Sequence, residues 1–176
     1  QPKYVAEKVF ATFASRDLDA IYAWTVEPTE GDRYKDKYIS FWRDALKDPI
    51  TWQEVYSASE SERRYDVYTG DQKFARFTLV PSAQTSRYGF GEWTFGSAEC
   101  EMLPHYVEYT IKTDEQAQVY VNDALLGEAD VLDRPAEGEK SWRTGSTIVT
   151  TYVLYGRRVF DGEAAFSLRV VSQNGA

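Results

Sequence analysis

The chain has 176 residues, 43% hydrophobic and 15% aromatic, with a formal net charge of −8. That length supports one substantial core, or a medium core and a small one, while the acidic balance excludes general binding to a phosphate backbone and so argues against a nucleic-acid partner. A single cysteine, Cys100, and a single histidine, His105, exclude an internal disulfide and any multi-histidine metal motif.

The chain opens Gln1-Pro2-Lys3, without an initiator methionine or a signal-like segment. We expect an anchor or signal upstream of Gln1. No apolar run reaches the roughly 20 residues that span a bilayer, so direct membrane insertion by this segment is not expected.

The first fifty residues read as helices. In KYVAEKVFATFA, Val5, Val9 and Phe13 fall at four-residue spacing, widened by Ala6 and Phe10. A second helix, RDLDAIYAWT, places Leu18, Ile21, Tyr22 and Thr25 on one side, with Ser15 as cap and Asp17 in its first turn. EPTEG, Glu27 to Gly31, is a breaker. A third helix over about Asp32 to Leu46 presents Tyr34, Tyr38, Phe41, Trp42 and Ala45, and Lys47-Asp48-Pro49 ends it.

From Ile50 the period becomes that of strands. TWQEVYSA, RYDVYT and KFARFTLV are three of them, the last with Phe77 and Leu79 on one face and Phe74 and Val80 on the other. Pro81 belongs at a strand end or on an edge, since it has no N–H for a ladder. Lys73 to Met102 forms the longest hairpin. Its second run changes phase: Tyr88 and Phe90 share one parity, Trp93 and Phe95 the other. Gly89, Gly91 and Gly96 are the places for a bulge, which we expect near Gly89–Gly91. Met102-Leu103-Pro104 is the boundary, giving domains 1–103 and 104–176. Beyond it YVEYTIKT, AQVYVND, ALLGEADVLD, TIVTTYVLY and AAFSLRVV read as a small all-β module, with Arg134 to Gly145 a long polar loop.

This layout of amphipathic helices followed by long bent strands resembles the cystatin-like α+β cone of the NTF2-like superfamily over roughly residues 3–103. The resemblance implies an α+β fold in which the N-terminal helices pack on a strongly curved antiparallel sheet, followed by a small antiparallel β module packed on it. Separately, YTIKTDEQAQVYVNDALLGEADV, from Tyr109 to Val131, is similar to the "vP..a.V.VNG..l" segments in extracellular domains of Firmicutes surface proteins, with Asn122-Asp123 where that pattern prefers Asn-Gly. TYVLYGRRVF resembles the "Y.v.Gl" strand of the same modules, with Gly156 at the glycine position. Those modules commonly follow a membrane anchor and an NTF2-like module, which implies an extracytoplasmic, cell-surface location.

No residue stands out as catalytic, and no metal or cofactor is expected. Tyr88, Phe90, Trp93 and Phe95, with Tyr38, form a candidate stacking surface for a peptide, a glycan or another envelope protein, although rings on a sheet are more often core or inter-strand packing. His105, with Glu99 or Glu101 as orienter, and Glu92, beside Trp93, are the acid or base candidates. A surface histidine and a solvent-facing glutamate are the simpler readings. Asp17, Asp19 and Tyr22 could join Tyr38 at a pocket mouth, but Asp17 is accounted for as a helix-start residue. Glu99 and Glu101 share a strand face without the six or so oxygens that a hard cation needs. The expected function is a non-enzymatic binding or scaffolding domain of a bacterial surface protein. The alternatives are an NTF2-like enzyme (isomerase, dehydratase or hydrolase type) with a small hydrophobic substrate in the cone, and an intracellular dimer paired through the sheet face.

Overall fold

The computed structural model describes residues 2–26, 32–85 and 91–172. The breaker Glu27 to Gly31, the rings Tyr88 and Phe90, and Gly89 of the expected bulge lie outside the described residues. The chain is mixed α+β, with antiparallel sheets that do not close, and divides into two compact units, Gln1–Pro104 and His105–Ala176.

In the first unit, helices α1 (Pro2–Ala14), α2 (Leu18–Thr25) and α3 (Lys35–Ala45) precede strands β1 (Ile50–Val55), β2 (Arg63–Thr69), β3 (Gln72–Thr85) and β4 (Gly91–Cys100). The strands pair in the order β1-β2-β3-β4, all antiparallel. Helix α1 buries Ala6, Val9 and Phe13, a stripe at helical spacing. The break before α2 sits one residue later than the sequence suggests. Arg16 takes a φ of 55°, and Asp17, rather than Ser15, caps α2 by accepting the Ala20 N–H at 3.1 Å. Ser15 instead donates its hydroxyl back to the Thr12 carbonyl. Helix α3 starts after a turn over 32–34, later than the expected start near Asp32, with Tyr34 at its cap position.

The core of this unit is aromatic. Phe13 stacks on Phe77 at 5.9 Å, Phe77 on Tyr65 at 5.0 Å, and Phe10 on Trp52 at 5.5 Å. Simple alternation places Phe74 opposite Phe77, yet both are fully buried. The ladder explains it. Val67 faces Ala75 and Tyr68 faces Lys73, which leaves Phe74 as an extra residue whose ring turns inward onto Phe13 and Trp42. A second shift lies at Gly96, skipped between the Thr78–Ser97 and Leu79–Phe95 pairs. Trp93 and Phe95 are half-buried before it, Ala98 and Cys100 after it, so the inward parity flips there. A third shift separates the Pro81–Trp93 and Thr85–Gly91 pairs. Pro81 lies beyond the Arg63–Leu79 pair that ends β2, so it has a ladder partner on the β4 side only.

The second unit contains β5 (Tyr106–Asp114), β6 (Ala117–Val121), β7 (Ala124–Leu125), β8 (Val131–Asp133), β9 (Ala136–Lys140), β10 (Thr147–Phe160) and β11 (Leu168–Ser172). One sheet runs β5-β10-β8, with β9 also on β10; the other runs β11-β6-β7. Ile111, Val119, Val121 and Leu126 form the core, with Tyr155 and Phe166 against it. Arg134 to Gly145 is not a plain loop. Its middle is β9, paired with Thr147–Thr151 of β10 as a two-stranded arm. The turn Asn122-Asp123 joins β6 to β7 with φ values of 48° and 63°, the positive values of a type I′ hairpin turn.

Candidate functional site

The solvent face of the first sheet carries a row of polar residues across all four strands: Gln53, Asp66, Arg76 and Glu99 are successive ladder partners. Strand alternation puts them opposite Tyr65, Val67 and Phe77. Asp66 is only 5% exposed, although it is charged. Arg76 holds it in a two-pronged contact, Nε to Oδ1 at 2.6 Å and Nη2 to Oδ2 at 3.1 Å, and Lys73 adds a third at 3.2 Å. Burial pushes the Asp66 carboxyl up, but the hydrogen bonds and charges of Arg76 and Lys73 outweigh burial and hold it below its ordinary value. Lys73 also pairs with Glu101. Beside this network Glu62, Arg64, Arg76, Thr78, Ser97 and Glu99 line a shallow cleft of about 300 Å³. Glu62 and Arg64 pair with each other, so its charges are largely matched within the fold.

The acid and base candidates fall in different surroundings. Glu92 is exposed on β4, with the half-buried Trp93 next to it. The Nδ1 atom of His105 lies 3.0 Å from Oδ1 of Asp161, with both side chains open to solvent. The carboxylate beside His105 is thus Asp161, and Glu101 is taken up by Lys73. Among the described residues no group of three or more His, Cys, Asp or Glu side chains is placed to hold a metal ion, and no helix is long and apolar enough to cross a membrane. Cys100 is a packed thiol, 3.3 Å from the carbonyls of Phe74 and Met102, and burial pushes it up to about 12.

The candidate binding rings separate. Tyr38 is buried between Tyr22, at 5.6 Å, and Trp42, at 5.8 Å. Phe95 packs on Trp24 of α2 at 4.8 Å. Trp93 lies 5.9 Å from the Arg63 guanidinium. Asp19 pairs with Lys35 at 2.8 Å, and Tyr22 is buried.

Exposed apolar surface gathers instead on the second unit, at positions without a chemical motif. Trp142, at the tip of the β9–β10 arm, is 88% exposed, and Val149 on the arm is exposed as well. Along β11, Leu168 and Val170 are 47% and 48% exposed, while their ladder partners Val121 and Val119 are each 1% exposed. Val149 and Val170 help line a cleft of about 440 Å³, together with the β5–β6 turn over Asp114 to Ala117. A lone tryptophan in the polar run RPAEGEKSWRTG was the available sequence signal for the arm; β11 had none, since LRVV reads like any buried strand. Comparison with protein-family models, with curated proteins and with solved structures gives no match.

Proposed function

We propose that this chain is a non-enzymatic binding or scaffolding module of a bacterial surface protein. In this reading the first unit is an NTF2-like, cystatin-like body with a strongly curved sheet, and the second is a small β module that presents the contact surface. One observation carries the binding function. The first unit uses Phe13, Trp42, Phe74 and Phe77 as core, whereas Trp142, Val149, Leu168 and Val170 of the second unit are left in water. Apolar groups gathered on an otherwise acidic domain favour a contact role. The partner class is a peptide, a glycan or another envelope protein. The cell-surface location, with an anchor upstream of Gln1, is supported by the similarity of the Tyr109 to Val131 segment to extracellular modules.

The test is a binding screen of the whole chain against immobilised peptides, glycans and purified envelope proteins. The same screen is run with Trp142→Ser and with Val149→Lys. Saturable binding to one class, weakened by either substitution, is the expected result. Binding that both variants retain in full would place the contact elsewhere. Turnover of small hydrophobic esters or ketones that disappears in His105→Ala would overturn the non-enzymatic reading.

A further inference from the structure

Edge strands of a sheet present unpaired N–H and C=O groups, and stable proteins shield them with charge, shortness or bulges. Most edges here follow that rule. Strand β1 carries Glu54, β4 carries Glu92 and Glu99 with the shift at Gly96, β5 carries Glu108, Lys112 and Asp114, and β7 is two residues long. The β9 edge carries Glu137, Glu139 and Lys140. Strand β11, LRVVS, is the exception. Its one charge, Arg169, lies over the Tyr120 ring at 4.0 Å, and among the described residues its only strand partner is β6.

The direction of the free groups follows from the ladder. The Ser167 carbonyl accepts the Asn122 N–H at 3.0 Å, and the Ser167 N–H donates to Asn122 Oδ1 at 2.8 Å, so Ser167 faces β6. Antiparallel pairing alternates along a strand, and Leu168 and Val170 therefore turn their N–H and C=O groups to the open edge. Their side chains share a face with the buried Val119 and Val121 through the ladder, yet remain about half exposed. Among the described residues no strand lies on the outer side of these two residues, and their side chains are only half covered.

The cleft of about 440 Å³ is lined by Val170, by Val149 and Thr151 of β10, and by Asp114 and Glu115 of the turn that leads to Ala117, the ladder partner of Ser172. Asp114 and Glu115 are exposed and, among the described residues, make no ion pair. We infer that β11 is a strand-addition site for an extended partner peptide that carries alternating aliphatic side chains and a Lys or Arg next to Asp114 and Glu115. The backbone of the peptide would extend the β11-β6-β7 sheet, its aliphatic side chains would cover Leu168 and Val170, and its cation would meet the two carboxylates. Charge selects this occupant over a second copy of the chain, because two chains of net charge −8 repel each other. The inference rests on the binding-module reading and specifies its site and ligand.

The probe is an acetylated, amidated peptide, Lys-Val-Thr-Val-Thr-Val, titrated into the isotope-labelled full chain and followed by amide NMR. Saturable shifts confined to Leu168–Ser172, β6 and the turn at Asp114 and Glu115 are expected. N-methylation of alternate peptide residues removes donors and should weaken binding at least ~10-fold. Asp114→Asn combined with Glu115→Gln, both exposed positions, should weaken it roughly fivefold. Leu168→Lys should weaken it too, with the chain's amide spectrum confirming that it still folds. Equal binding of the N-methylated peptide, or shifts elsewhere, overturns the site. A dimer in light scattering whose β11 amides resist exchange without peptide overturns the occupant in favour of a second copy. If the peptide fails here while the Trp142-dependent screen still finds a ligand, only this inference is lost. If both fail, the binding reading is lost as well.

Discussion

The indole N–H of Trp42, on α3, donates to the main-chain carbonyl of Met102, just past β4, at 2.7 Å. Sixty residues separate the two in sequence. The bond holds the third helix to the end of the sheet through a side chain with no solvent exposure, so the polar tip of the largest core residue is satisfied in place.

Trp42→Phe removes that donor and part of the ring volume. We expect a loss of about 2 kcal/mol from the first unit, the sum of a lost hydrogen bond and a partly filled cavity. Urea unfolding followed by far-ultraviolet circular dichroism measures it. A midpoint unchanged from the parent chain would mean that neither the bond nor the packing matters.

Asp66 makes stability depend on acid. Its folded-state carboxyl lies below the ordinary value near 3.8 that it regains on unfolding. The contribution is therefore complete above that value and is lost as pH falls through it towards the folded one, because the unfolded chain takes the proton first. Asp66→Asn leaves Arg76 and Lys73 facing a neutral group and should cost about 2–3 kcal/mol at pH 7. The difference between variant and parent should shrink at pH 3. A constant difference across that range would contradict the assignment.

Asp123 sits at a φ of 63° in a turn that glycine adopts with less strain. Asp123→Gly is expected to raise stability by roughly 0.5–1 kcal/mol. Asn122 should not tolerate the same change. Its side chain donates to the Ala164 carbonyl at 3.1 Å and accepts from the Ser167 N–H at 2.8 Å, so Asn122→Gly frees the 161–167 loop. Paired thermal melts of the two variants should therefore move in opposite directions.

Cys100 is expected to be inert. With its thiol pushed up to about 12, only about one molecule in ten thousand carries a thiolate at pH 8. Labelling by a disulfide reagent should be slow in buffer and become fast in 6 M guanidinium, a concentration of roughly the size that unfolds most domains. Equally fast labelling in the two solvents would show the site to be open.

Local patterns along the chain specify the class and order of most elements, β9 being an exception. The 3.6-residue stripe of Val9 and Phe13 and the alternation of TIKT and QVYV report which neighbours along the chain share a face, and that information is local. The turn at Asn122-Asp123 was legible for the same reason: its backbone demand is met by two adjacent residues. Tertiary structure alone decided the rest. Phe74 points inward because β2 and β3 are out of step by one residue at Val67, and Gly96 shifts the phase of β4 because of how β4 lies on β3. Asp66 is buried because Arg76, ten residues on, and Lys73 close over it. Among the described residues no strand lies on the outer side of β11, and LRVV reads the same whether that edge is covered or bare.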